Sequence, residues 1–200
     1  MTPDSGGPGV VVQKLSGGHA PQIVRHLLRL PESDRRLRFG APMRDSTIEA
    51  YVRGIDFSRD RVFGILAGDL ELIGVGHLAL DASGQTAELG LSVDPAVRGK
   101  GYGYALLQRA VLHATNLGYR AFFMHCLADN HIIVHLARKA GLTLVVQQGE
   151  ADGRLELGER THAGAIQEAI EDQFALVDYL LKQQYAWLGR ARRPTVEQAA

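Results

Sequence analysis

The sequence predicts an α/β (α+β) domain with a mixed sheet, and three observations carry that expectation. First, strand-like and helix-like segments follow one another in the order strand, two helices, three strands, helix, strand, helix, strands. Second, Gly68-Asp69 and Asp81-Ala82-Ser83-Gly84 sit between strand segments, so part of the sheet is built from antiparallel hairpins. Third, Ala87 to Leu117 reads as a strand, a basic glycine-rich loop and an amphipathic helix in unbroken succession. At 200 residues the chain is long enough for one domain with a substantial core.

Taken in order, residues 1–9 are rich in Gly, Pro and Ser and read as disordered. Val10–Leu15 is a first strand. Ala20–Leu30 is a helix, with Ile23, Val24, Leu27, Leu28 and Leu30 apolar. Pro31–Pro42 holds an arginine cluster around Leu37 and Phe39, and Ser46–Ile55 is a second helix. Arg61–Ala67 and Leu70–Leu80 form strands joined at Gly68-Asp69, a type I′ signal. Gln85–Val93 is the strand before the glycine loop. The next helix places Leu106, Leu107, Ala110, Val111, Ala114 and Leu117 on one face and stops at Asn116-Leu117-Gly118. Arg120–Leu127 is a strand, and a helix capped by Asp129 or Asn130 runs to Ala140. Leu142–Gln148 and Arg154–Leu157 pair around a turn at Gly149–Gly153.

From Ala165 a long helix follows, as a C-terminal extension over 158–190. Ile166, Ile170, Phe174, Val177, Leu181 and Leu188 lie near one stripe, widened by Leu176, Leu180 and Trp187. The stripe either packs on its own domain or forms a homodimer contact. Residues 191–200 read as a flexible tail.

Composition narrows the function classes. The formal net charge is zero, so no global field draws in nucleic acid. Arg35, Arg36 and Arg38, and again Arg190, Arg192 and Arg193, read as solvated surface. The single cysteine, Cys126, rules out an intramolecular disulfide. No apolar run is long enough to span a bilayer, so a cytoplasmic protein without a membrane role is the default expectation.

The glycine loop is the most specific local signal. Glycines between a strand and a helix let successive backbone N–H groups point at one place, where the positive end of the helix dipole also acts. A P-loop would need a hydroxyl after Lys100, and Gly101 stands there. A Rossmann turn would begin directly after the strand, and Asp94 to Arg98 intervene. The third design, Arg/Gln-x-x-Gly-x-Gly/Ala, is met in full by Arg98-Gly99-Lys100-Gly101-Tyr102-Gly103. With Val93-Asp94-Pro95 ahead of it, the loop resembles the acetyl-CoA pyrophosphate loop of the GCN5-related N-acetyltransferase (GNAT) superfamily.

That resemblance covers about 10–157 and implies a mostly antiparallel central sheet flanked by helices. It further implies acetyl-CoA as co-substrate, with no metal, and an amine acceptor that is either a protein lysine or a small molecule. A patchier likeness to the bacterial protein-lysine acetyltransferase branch rests on three stretches. They are Leu30-Pro31-Glu32-Ser33-Asp34-Arg35-Arg36-Leu37-Arg38-Phe39, Ala87-Glu88-Leu89, and the Asn130 to Leu142 helix with Leu136-Ala137-Arg138.

The residue assignments follow. Main-chain groups of Arg98, Gly99, Lys100, Gly101, Tyr102 and Gly103 hold the pyrophosphate, while those of Leu91, Ser92 and Val93 meet the pantetheine and the thioester carbonyl. By resemblance Asn130 meets the pantetheine arm, and Lys139 reaches a phosphate. If Leu89, Leu91 and Val93 face one side of the strand, Glu88, Gly90 and Ser92 face the other. Glu88 is then the candidate base, against the alternative of an ordinary exposed strand glutamate.

One position departs from the family pattern. Many acetyltransferases carry Tyr seven residues after this Asn, and Ala137 stands there. Either solvent gives the thiolate its proton or another group does, and among Cys126, His131, His135 and Tyr104 none is fixed by spacing. His131 and His135 are spaced i, i+4, but no Glu follows His131, so the H-E-x-x-H metal pattern is missing. The departure at Ala137 keeps a second reading open, a non-catalytic acyl-CoA-binding sensor or interaction module.

Overall fold

The computed structural model describes residues 9–191. Its strands are β1 (Gln13–Leu15), β2 (Arg61–Leu66), β3 (Leu72–Leu80), β4 (Thr86–Val93), β5 (Ala121–Leu127), β6 (Thr143–Gln147) and β7 (Glu150–Glu156). The helices are α1 (Ala20–Arg29), α2 (Glu32–Phe39), α3 (Asp45–Arg53), α4 (Tyr102–Leu117), α5 (His131–Lys139) and α6 (His162–Ala191). The strands form one sheet in the order β1-β2-β3-β4-β5-β7-β6. Every pair is antiparallel except β4–β5, which is parallel and needs the α4 crossover to connect it.

Strand alternation sorts the core into two layers. Phe63, Leu78, Leu89, Leu91, Val93 and Phe122 face α4, where Leu106, Leu107, Ala110 and Ala114 cover them. On the opposite face Val62, Leu72 and Val75 meet Ile23 and Leu27 of α1 and Ile48 and Val52 of α3. Each large apolar side chain buried this way contributes about 1.5–3 kcal/mol. One polar group crosses the second layer. His26 of α1 is 1% exposed, its Nδ1 lies 3.1 Å from the Leu72 carbonyl, and its Nε2 lies 2.9 Å from Ser92 Oγ. Burial lowers its pKa from 6.5 to about 4, so the ring is neutral near pH 7. Nδ1–H then donates to Leu72 O, and Nε2 accepts from the Ser92 hydroxyl.

Several sequence expectations shift in the structure. Pro31–Pro42 contains a full helix, α2, that the hydrophobic pattern does not announce, because none of its residues is buried. At the β2–β3 turn the positive φ belongs to Leu70, at 68°, and not to Gly68-Asp69, so the turn is not type I′. The β6–β7 turn falls at Gln148-Gly149, with φ of 51° and 87°, and Ala151 to Gly153 are strand residues. β1 is shorter than Val10–Leu15, starting at Gln13. The segments 1–9 and 191–200 lie outside the described residues except for Gly9 and Ala191, and Ala191 still belongs to α6.

Of the two packings left open for the α6 stripe, packing on its own domain is not what the structure shows. Ile166, Ile170, Phe174, Val177 and Leu181 are all at least half exposed. The face that meets the domain is polar. Glu168 accepts from His113 (2.5 Å) and Asn116 (2.7 Å) and pairs with Lys14 (2.9 Å), Asp172 pairs with Arg109 and Lys14, and Gln13 donates to the Ala175 carbonyl. Arg109 and His113 are buried in α4, and an unpaired buried charge there would be costly, so the acids of α6 set which side turns inward. The side chain of Leu188 lies outside the described ones.

These buried groups predict a two-stage acid response. Between pH 6.5 and about 4 the unfolded chain binds a proton at His26 that the folded chain refuses. Stability therefore falls as pH falls through that window, by as much as about 3 kcal/mol. Burial pushes the Glu168 carboxyl up, but hydrogen bonds from His113, Asn116 and Lys14 outweigh it and hold its pKa well below the usual carboxylate range. Its contribution is present above the unfolded value of 4.5 and drains below it. Urea midpoints at pH 7, 5.5 and 4 should show a shallower decline for His26→Gln than for the wild type. Equal slopes would remove His26 from the account.

Candidate active site

β4 and β5 are paired only at their starts, where Thr86, Ala87 and Glu88 sit beside Ala121, Phe122 and Phe123. Beyond Glu88 the pairing ends, while β5 stays paired with β7 as far as Leu127. A slot opens between Gly90–Val93 and the second half of β5. A cavity of about 590 Å³ lies beside the freed end of β4, between the glycine loop, α2 and α5. Leu91, Ser92 and Val93 line one side, Asn130, Ile133 and Leu136 line another, and the start of α4 closes its end.

The loop before α4 is shaped by its glycines. Gly99 and Gly101 have φ of 78° and 81°, a region costly for a side chain, and a Cβ on either would meet open space. A Cβ on Gly103 would instead touch Leu136, Leu91 and Val93 at 3.5–3.8 Å, so this glycine seats α4 against β4 and α5. Gly101 is the N-cap, without a side-chain cap, and its carbonyl accepts from Ala105 N. The N–H groups of the first turn of α4 are thus left for a ligand, at the positive end of the helix dipole.

Ten of the twelve residues singled out from sequence line the one cavity: Leu91, Ser92, Val93, Arg98, Gly99, Gly101, Tyr102, Gly103, Asn130 and Lys139. Lys100 is exposed on the loop, outside the lining. Glu88 is also outside it, further back on β4, exposed, with Ala79 of β3 and Phe123 of β5 beside it. It shares a face with Gly90 and Ser92, as alternation predicts. The Arg98 side chain is not free. Its Nε donates to the Val93 carbonyl (3.2 Å) and its Nη2 pairs with Asp34 of α2 (2.8 Å). Asn130 caps α5 by accepting from Ile133 N, and its Nδ2 reaches the Leu37 carbonyl at 3.5 Å. Lys139 Nζ lies over the Tyr104 ring, 4.6 Å from its centre.

In the first arginine cluster Arg36 is exposed, as expected, while Arg35 and Arg38 are half-buried and not solvated surface. Arg35 donates to the carbonyls of Leu30 (3.0 Å) and Leu28 (2.5 Å) and pairs with Asp45, which fixes α2 on α1 and α3. Arg36 pairs with Asp129 (3.0 Å), across to the loop before α5. Arg38 enters the cavity wall with Leu30, Asp34 and Leu37. These contacts join residues far apart in sequence, so spacing gave no signal for them. Arg190, Arg192 and Arg193 lie outside the described side chains.

A polar chain runs behind Arg38. Its Nη2 donates to Tyr51 Oη (3.1 Å), Tyr51 Oη lies 2.6 Å from His77 Nδ1, and His77 Nε2 lies 3.2 Å from Asp60. Burial lowers the His77 pKa, against the opposing pull of Asp60, so the ring is neutral. Tyr51 O–H then donates to Nδ1, and Nε2–H donates to the carboxylate. Asp60 is itself held below the usual carboxylate range: burial raises it, but Arg59, Leu80 N and His77 together outweigh that.

The remaining candidates divide. The Cys126 thiol is buried against the Ala151 carbonyl at 3.6 Å, and burial pushes its pKa up, so it is a core residue. Tyr104, His131 and His135 line the cavity. Ala137 is 1% exposed and packs in the core. Among the described residues, no group of three or more His, Cys, Asp or Glu could hold a metal ion, and no helix is long and apolar enough to cross a membrane.

The comparisons with known proteins agree with this geometry. The model of the acetyltransferase (GNAT) family matches residues 25–142. A mycothiol acetyltransferase of Propionibacterium freudenreichii subsp. shermanii is 40% identical over 55 residues, 28% of this chain and 18% of that protein. The match therefore spans less than a fifth of that relative's length. The GNAT domain of PAT from S. lividans superposes with a TM-score of 0.63 at 21% identity, covering 73% of this chain and 89% of the other. YncA of Salmonella typhimurium, solved with its cofactor acetyl-CoA, gives 0.58 at 17% identity, covering 77% and 97%. With the family model spanning more than half of its length, and the glycine cradle and split sheet in place, the chain belongs to the acetyltransferase (GNAT) family.

Proposed function

We propose that the protein is an acetyl-CoA-dependent N-acetyltransferase that acts on a primary amine, either a protein lysine or a small molecule. One observation carries the reading: an uncapped helix start, with glycines at positive φ, opens into the slot where β4 leaves β5. Acetyl-CoA supplies the activated acetyl group. The N–H groups between Arg98 and Tyr104 suit its pyrophosphate, and Lys139 at the rim adds a positive charge. The main chain of Leu91–Val93 lines the slot and offers backbone groups to an extended arm.

Glu88 accepts a proton from the acceptor ammonium, directly or through water. The freed amine nitrogen bonds to the acetyl carbon, the carbon–sulfur bond breaks, and the nitrogen gives its second proton to solvent as the amide forms. The departing thiolate takes a proton from solvent or from Tyr104, His131 or His135. A thiol is only mildly basic, so a dedicated acid is not required. Ala137 favours the second reading, an acyl-CoA sensor, because it removes the usual tyrosine. Release of free thiol in the presence of an amine separates the two.

Acetyl-CoA at about 100 times its Kd should stabilise the fold by roughly 2.7 kcal/mol, while ATP and NAD leave the thermal midpoint unchanged. A midpoint that moves with either nucleotide and not with millimolar acetyl-CoA would overturn the assignment.

Gly101→Val places a branched side chain at a φ of 81°. The helix start should rearrange at a cost of about 1–2 kcal/mol, with loss of acetyl-CoA binding and most of the fold retained. Calorimetry showing wild-type affinity would leave the loop as a simple helix start.

Glu88→Gln keeps shape and hydrogen bonding but cannot take the proton. Turnover at neutral pH should fall by about 10²–10⁴-fold with little change in acetyl-CoA affinity, and part of the loss should return at high pH. A near wild-type rate across pH would make Glu88 an ordinary strand residue.

A further inference from the structure

We propose that Arg38 binds a carboxylate on the acceptor, so that the acceptor is a small amine that also carries a carboxylate, such as a free amino acid. This rests on the acetyl-transfer reading above and narrows its acceptor.

Two arginines line the cavity, Arg38 and Arg98, and Arg35 and Arg36 stand beside Arg38 on α2; all but Arg38 are neutralised. Arg35 pairs with Asp45, Arg36 with Asp129 and Arg98 with Asp34. Arg38 has no carboxylate partner among the described residues. It is nevertheless held in place. Its guanidinium lies over the Phe39 ring, 4.9 Å from the centre, and donates to Tyr51 Oη, which the His77–Asp60 pair orients from behind. The hydroxyl hydrogen of Tyr51 goes to His77, so its oxygen is left to accept from Arg38. A guanidinium fixed this way spends one Nη2 hydrogen on Tyr51 and leaves Nη1, Nε and the second Nη2 hydrogen unused by the described residues, so the remaining Nη2 hydrogen and its neighbour form a preorganised fork for a carboxylate.

Its location decides what the fork meets. A Cβ on Gly90 would lie 2.4 Å from Cζ, Nη1 and Nη2 of Arg38. The guanidinium therefore lies on the strand, in space that only glycine leaves. Glu88 is two residues back on the same face, about 7 Å along the strand. Beyond it, on β5 and β7, the charges are paired among themselves: His125 donates to Asp152 (2.7 Å), with Glu150 3.8 Å from its other nitrogen, and Arg154, over the Phe123 ring, pairs with Glu156 (2.7 Å). The face thus carries Arg38, with no carboxylate partner among the described residues, on its α2 side and the Glu88 carboxylate further along the strand. A molecule with an ammonium near Glu88 and a carboxylate at Arg38 matches both. A diamine would bring its second ammonium against Arg38.

The test uses matched pairs: phenylalanine with phenethylamine, and lysine with cadaverine. Thiol release is followed with the full chain and acetyl-CoA. In the wild type the carboxylate member of a pair should have a kcat/KM about 10–100-fold higher, mainly through KM. Arg38→Gln should erase that gap by weakening only the carboxylate member, and Arg38→Lys should restore part of it. Equal kcat/KM within the pairs in the wild type, or equal losses for both members in Arg38→Gln, would overturn the proposal. So would weaker acetyl-CoA binding by a folded Arg38→Gln, which would put Arg38 on the co-substrate. If no amine is turned over, the acetyl-transfer reading fails, and calorimetric titration of the coenzyme A complex with the same pairs still decides the role of Arg38. Binding of the amino acids alone, lost in Arg38→Gln, supports it; failure of both amino acids to bind overturns it.

Discussion

The site depends on one broken pairing. β4 hydrogen-bonds β5 for three residues and then parts from it, while each remains paired on its other side. A sheet that divides part-way along two neighbouring strands exposes backbone donors and acceptors that must find a ligand or water. α4 begins at the end of that division, and Gly103 lets it sit closely against Leu91, Val93 and Leu136. Strand edge, helix start and cavity are therefore consequences of one topological event. The parallel β4–β5 connection through α4 puts the helix dipole at the same end as the opening.

The α1–α3 face of the sheet carries buried polar groups within its apolar layer. Two chains of hydrogen bonds run from helices into β3 and β4. One joins His26 to Leu72 and Ser92, and the other joins Asp60, His77, Tyr51 and Arg38. Both contain a histidine kept neutral by burial. Buried polar groups stabilise only when their partners are all in place, so such chains fix one arrangement of side chains and resist others. The face is rigid for the same reason that it is vulnerable to acid.

The legible parts of the sequence were those where local conformation dictates residue type. Gly99 and Gly101 stand at positive φ and could be recognised without knowing the fold. The facing of Glu88 followed from strand alternation. α2 could not be read in this way. Its sequence, ESDRRLRF, buries no residue, and its arginines act through Leu28, Leu30, Asp45, Tyr51 and Asp129. The turn at Gln148-Gly149 was hidden because glutamine is an unusual occupant of positive φ. The packing of α6 stayed open in the sequence for a physical reason. Its stripe marks an apolar face, but Arg109, buried in α4 and far earlier in the chain, requires an acid opposite it. Periodicity reports where apolar residues lie and not which face a buried cation needs.

The divided sheet also gives β4 two kinetic characters. Its first half is bonded on both sides and under Phe122, and its amide protons can reach solvent only when the core itself opens. Its second half is bonded on one side, and the amides turned toward the slot are shielded by whatever fills it. The same strand therefore combines amides that report global stability with amides that report occupancy. Hydrogen exchange along eight consecutive residues would register folding and ligand binding as separate events.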